Sequence, residues 1–152
     1  MAEAGCNLLP VDQEYGTQTS PIFNYPYGRT REALEKLSRF RAINAWHGHK
    51  VRYVNPVNGG WAMPTMATWM QLLPKGFETR AYRSTDSTVF VVVEGRGSSR
   101  VGDTLYEWAP HDIFVVPSWT TVQHSGHEDA LLFSYSDRAV QDKLDLFREE
   151  QL

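Results

Sequence analysis

The sequence is poor in the features that would place it quickly. Its 152 residues hold one cysteine, Cys6, so an internal disulfide and a Cys-based zinc cage are both excluded, and a reducing cytoplasm is the expected setting. No apolar run exceeds short stretches such as Val89 to Val93, far below the roughly 20 residues that span a bilayer, and the N-terminus lacks a charged segment followed by an apolar one. No excess of basic charge exists either. The net charge is −3. Glu3, Asp12 and Glu14 precede the first cation, Arg29, so the rest of the chain balances 15 positive against 15 negative residues. Without a Lys/Arg cluster to neutralise phosphates, nucleic acid is excluded as a partner, as is a membrane. Eleven glycines and eight prolines lie near the ordinary usage of roughly 12%, which argues against a low-complexity chain. One globular domain is the expectation.

Four stretches follow from the patterning. Residues 1–28 keep no period and carry Pro10, Pro21 and Pro26 beside Leu8, Leu9, Ile22, Phe23, Tyr25 and Tyr27. They read as an extended arm lying on another surface. Residues 29–50 hold a helix capped by Thr30, with Ala33, Leu37 and Phe40 on one face and Leu34 beside them, then a loop. Residues 51–136 change to nine short β-prone runs: VRYV, TMATWMQLL, FETRAYR, TVFVVVEG, GSSRV, TLYEW, DIFVVP, TTVQH and DALLFSY. Turn residues separate them and no helix intervenes, which predicts an antiparallel all-β sandwich or barrel. TVFVVV and DIFVVP are apolar on consecutive positions, so both faces of those strands should be buried. Residues 137–152 read as a final helix capped by Asp137.

Chemistry is thinly signalled. His47-Gly48-His49 and His124-Ser125-Gly126-His127 have metal-ligand spacing. The first lies in a loop and the second straddles a turn, so solvated histidines are the plainer reading. His111 reads as a turn residue. No Gly-x-Ser-x-Gly elbow exists, and Cys6 lies in the arm, so no nucleophile stands out. Glu94-Gly95-Arg96-Gly97 has no helix after it to present to a phosphate and reads as a hairpin turn. Arg80 and Arg83 carry more: guanidinium groups clamp carboxylates, and Trp61, Trp69 and Tyr82 offer flat faces for an aromatic ring in a barrel mouth. Their plainer use is pairing with Glu78 or Asp86.

The ordered strings SPIFNYPYGRTREALEKL, RYVNPVNGG, MPTM, LPKG, RSTDSTVFVVVEGRG, DIFVVPSW and LLFSYSD resemble the C-terminal half of the gentisate 1,2-dioxygenase family, with its related hydroxynaphthoate and salicylate dioxygenases. The resemblance runs from about Gly5 to the last helix. It implies a cupin fold, a double-stranded β-helix or jelly roll, with residues 1–28 as the linker between two barrels. It also implies Fe(II) held by three histidines in the family's other, N-terminal cupin. At the matching positions this chain has Tyr82, Ser84 and Val122, and neither valine nor neutral hydroxyls replace imidazole at Fe(II). His124, one strand step beyond Val122, is the alternative ligand.

The resemblance therefore implies a metal-free cupin with no catalytic residues and no cofactor of its own. Its role is structural, within a homo-oligomer or beside an iron-bearing partner barrel, in enzymes that use O2 to cleave aromatic hydroxy acids. Two alternatives remain open at this point. One is a stand-alone dioxygenase using His124 with His47, His49, His111 or His127. The other is a module that holds an aromatic hydroxy acid between Trp69 and Arg80 or Arg83.

Overall fold

The computed structural model describes Val11 and residues 19–152. Cys6, Leu8 and Leu9 lie outside the described residues. The part of the arm that is described touches the body: Ser20 N donates to Ala62 O at 2.9 Å, and Tyr25 OH donates to Val54 O at 2.8 Å.

Helix α1, Tyr27–Phe40, starts ahead of the expected Thr30 cap, with Pro26 at its N-cap. A proline there loses no helical hydrogen bond. Glu94 holds the first turn, accepting from Tyr27 OH at 2.5 Å and from Arg31 Nη1 at 2.6 Å. Thr30 is instead buried inside the helix. The buried face is Thr30 and Leu34, with Leu37 partly covered, whereas Phe40 is exposed.

All nine β-prone runs form strands, and FETRAYR contributes only its end. They are β1 His49–Arg52, β2 Ala67–Leu73, β3 Tyr82–Ser84, β4 Thr88–Glu94, β5 Gly97–Val101, β6 Thr104–Trp108, β7 Ile113–Val116, β8 Val122–Gly126 and β9 Ala130–Ser136. The C-terminal stretch corrects the expected final helix. Helix α2, Arg138–Lys143, has only 6 residues, and Asp145 turns the chain at φ 54°. Residues 149–151 then form β10, Glu149–Gln151, against β3. The strands make two five-stranded antiparallel sheets in the orders β1-β2-β9-β4-β7 and β10-β3-β8-β5-β6. This is the jelly-roll arrangement that the resemblance implies. Glu94-Gly95-Arg96-Gly97 is no hairpin, because β4 and β5 belong to different sheets; Gly95, at φ 79°, turns the chain from one to the other.

Side chains alternate in direction along each strand, so each sheet has an inner and an outer face. Leu73, Phe90, Val92, Leu132, Trp108 and Val122 fill one half of the interior. Phe90 and Phe114 stack there, with centroids 5.0 Å apart. On the outer side Met70 and Leu131 pack against Leu34 of α1. One expectation fails here. On β7 only Phe114 and Val116 are buried, while Ile113 and Val115 are exposed, because β7 is an edge strand and nothing among the described residues covers its outer face.

Leu34→Ala removes the side chain that ties α1 to the outer sheet face. It should lower unfolding free energy by about 2–5 kcal/mol, read as a shift in the urea midpoint with little change in slope.

Candidate functional site

Beyond the apolar half, the inward positions become polar. Gln71 and Ser134 are fully buried, and Ser136 and Asp86 nearly so. Asp86 borders a cavity of about 520 Å³, whose lining also includes His47, Lys50, Trp69, Tyr82, Arg138 and Glu149.

Three elements build it. Strand β1 turns Lys50 inward, and its ammonium lies 4.8 Å from the Trp69 ring centroid. Residues 44–48 set His47: Asn44 Oδ1 accepts from the backbone N–H of Trp46 and of His47, each at 2.9 Å. Gly48 closes this turn at φ 63°, where a Cβ would lie 2.7 Å from Leu72 O, so only glycine fits. Strand β10 brings Glu149 opposite Ser84, with Oε1 3.5 Å from His47 Nε2. Trp61 and Trp69 meet edge to face at 5.4 Å, and the Arg138 guanidinium lies 3.8 Å from the Phe147 centroid.

Charge in this space is partly compensated. The Asp86 carboxylate accepts from Ser136 Oγ at 2.5 Å and from Thr88 Oγ1 at 3.4 Å. Glu149 is held below the usual carboxylate range, chiefly by its hydrogen bond to His47. Burial pushes the His47 imidazole down. Burial also lowers Lys50 to about 8, against the opposing pull of Asp86 and Glu149. Among the described residues the Lys50 ammonium makes no ion pair; its contact is the Trp69 ring. Several kcal/mol oppose burying such a charge, and one cation–π contact returns about 0.5–2 kcal/mol.

The residues singled out from sequence separate. Trp69 lines the cavity, as do Trp61 and Tyr82. Arg80 and Arg83 do not. Arg80 is exposed and lies over Trp46, while Arg83 pairs with Glu150 at 2.5 Å and lies over Trp119. Strand alternation sends Arg83 outward between the inward Tyr82 and Ser84. Neither arginine meets Glu78 or Asp86. His47 and His49 are not solvated loop residues: His47 borders the cavity and His49 is 6% exposed. His111 and His127 are exposed. Lys50, Arg138 and Glu149 carried no signal in the sequence.

His124 is fully buried. Its Nδ1 lies 2.7 Å from Ser99 Oγ, which accepts from Trp108 Nε1 at 2.9 Å. Among the described residues its Nε2 has no hydrogen-bond partner, and the ring packs 4.9 Å from the Phe90 centroid. Desolvation, with Lys50 and His47 nearby, lowers its pKa to about 3. It is a neutral core histidine. The three positions matched to the iron ligands do not fit the metal: Tyr82 pairs directly with Val122 across β3 and β8, and both side chains are core. Among the described residues no three His, Cys, Asp or Glu side chains group as a metal site, and none of their helices is long and apolar enough to cross a membrane.

Two pH effects follow. His124 titrates near 6.5 unfolded and about 3 folded, so its neutral burial favours the fold above 6.5 and loses that contribution as pH falls toward 3. Urea unfolding should show a steeper acid loss in the parent chain than in His124→Phe. Lys50 is depressed from 10.5 to about 8, so its burial cost is complete below 8 and fades toward 10.5. Lys50→Met should be the more stable chain at pH 7, with the gap in melting temperature closing by pH 10.

No family model matches the chain. It is 52% identical over 151 residues to gentisate 1,2-dioxygenase 1 of Aquipseudomonas alcaligenes, covering 99% of this chain and 44% of that protein. It is 36% identical over 143 residues to 5-aminosalicylate 1,2-dioxygenase of a Comamonas species, covering 93% and 38%. The salicylate 1,2-dioxygenase structure from Pseudaminobacter salicylatoxidans superposes with a TM-score of 0.83 at 32% identity, covering 95% of this chain and 43% of that one. The chain thus spans less than half the length of these relatives. By sequence and by its cupin fold, it belongs to the gentisate 1,2-dioxygenase family, together with the related salicylate and hydroxynaphthoate dioxygenases.

Proposed function

We propose that the chain is the C-terminal cupin of a gentisate 1,2-dioxygenase-type protein and that it binds no metal itself. It acts as a structural and oligomerising unit beside an iron-bearing N-terminal cupin. The carrying observation is the Tyr82–Val122 pair, which puts an aromatic ring and an aliphatic side chain where a ligand set would need imidazoles. The reaction of the whole protein, on this reading, is O2-dependent cleavage of a ring bearing a hydroxyl and an adjacent carboxylate. Iron in the other barrel supplies the oxygen chemistry. This chain's residues supply packing. Exposed Ile113 and Val115 on the edge strand β7 support an assembly role, since an uncovered apolar edge is a site for pairing with another chain.

Purified protein assayed for metal by mass spectrometry should hold far less than one iron per chain, and gentisate ring cleavage followed by ultraviolet absorbance should be absent. Stoichiometric iron with turnover lost in His124→Ala would instead establish the stand-alone dioxygenase. Light scattering should show a species larger than a monomer, and a clean monomer at high concentration would remove the oligomerising role.

A further inference from the structure

We propose that the cavity bordered by Lys50, Arg138 and Trp69 is a binding site for a small planar organic carboxylate, with the acid group on the two cations and the ring against Trp69 and Trp61. This goes beyond the packing role above and does not depend on it.

Three observations converge. The first is charge. The cavity is bordered by four basic side chains, Arg41, Lys50, Arg52 and Arg138, against two acids, Asp86 and Glu149. Both acids are already engaged, Asp86 by hydroxyls and Glu149 by His47, whereas among the described residues the Lys50 ammonium makes no ion pair and lies over the Trp69 ring. The second is unmet hydrogen bonding. Among the described residues, His47 Nδ1 and Arg138 Nε border the cavity, are buried and lack a hydrogen-bond partner, although Arg138 Nε forms an ion pair with Asp142 Oδ1 at 3.6 Å. Gln71 Oε1 and Ser134 Oγ, on inward positions beside Trp69, are also buried without partners. Buried polar atoms in folded proteins are nearly always satisfied, so such a group in one region is completed by ordered water or by a polar ligand. The third is shape. Trp61 and Trp69 meet edge to face at one wall, with Lys50 over the Trp69 ring and Arg52 and Arg138 over Trp61, so a bound ring would share these indoles with the cations; about 520 Å³ lies within the usual size of small-ligand cavities, roughly 300–1,000 Å³. A carboxylate matches Lys50 and the Arg138 fork together, and a ring gives the indoles a surface that a bare inorganic anion lacks.

The test titrates benzoate into the full chain by calorimetry, with inorganic phosphate and cyclohexanecarboxylate as comparison ligands. Benzoate should bind one to one with Kd of about 1 mM or tighter, within the affinity open to so small a ligand. Cyclohexanecarboxylate, with a puckered ring, and phosphate should each bind at least about fivefold more weakly. Lys50→Met should weaken benzoate more than about tenfold, with its fold checked by far-ultraviolet circular dichroism. Arg138→Gln is the second variant and should also weaken binding. Arg80→Gln, outside the cavity, should leave it unchanged. No binding at about 20 mM benzoate, equal affinity for phosphate, or unchanged binding in both Lys50→Met and Arg138→Gln would overturn the proposal. Iron content is a separate measurement, so failure here leaves the metal-free reading standing, and the reverse also holds.

Discussion

The seven-residue pairing of β2 with β9 is the contact on which the interior depends. It runs in register from Ala67 opposite Ser136 to Leu73 opposite Ala130. With that register set, alternation turns Trp69, Gln71 and Leu73 inward beside Ser134, Leu132 and Ala130. The outward set, Met70 and Leu72, meets α1. A slip of one residue would exchange the two sets. The same ladder therefore orders the interior along its length, apolar near Leu73 and polar near Trp69, and it attaches the helix on the other side.

That gradient explains why one barrel holds both a packed core and a polar mouth. At the packed end, Gly97 has no room for a side chain, since a Cβ would meet Ser125 O at 2.2 Å and Trp108 at 2.4 Å. At the other end the chain keeps a lysine whose ammonium is opposed by burial and has only a tryptophan face and distant carboxylates in its favour. Folding alone gives no reason for that choice, because an apolar residue there would be less costly. Groups that weaken a fold without an evident structural gain collect where a protein binds something.

The sequence made the strands legible because each β-prone run is bounded by glycine, proline, asparagine or aspartate. The same local reading could not see which faces are covered. In His49-Lys50-Val51-Arg52 a period of two places Lys50 opposite Val51, and a lysine opposite a valine reads as the solvent side. In the molecule α1 covers the Val51 side and the second sheet faces the Lys50 side. Glu149 was hidden for a related reason: DRAVQDKLDLFREE reads as one helix until the chain turns at Asp145 and the last residues join β3. Arg83 has the chemistry of a carboxylate clamp, yet Tyr82 and Ser84 on either side take the inward positions. The metal positions were legible in outline, since identity alone removes valine as a ligand, and the structure adds that Tyr82 and Val122 lie directly opposite each other.

The strand order also has a kinetic side. Strand β2 has only β1 as a near neighbour in sequence, and its other edge waits for β9; β4 waits for β7 and β9, and β3 for β8 and β10. Each sheet is thus completed by residues from the last part of the chain. Non-local pairing of this kind slows folding toward the millisecond-to-second range. As the polypeptide emerges during synthesis, Phe90, Val92 and Leu73 stay uncovered until residues 130–151 arrive. The nascent chain passes through an interval in which its most apolar strands are its least protected, and that interval is when it is most open to aggregation.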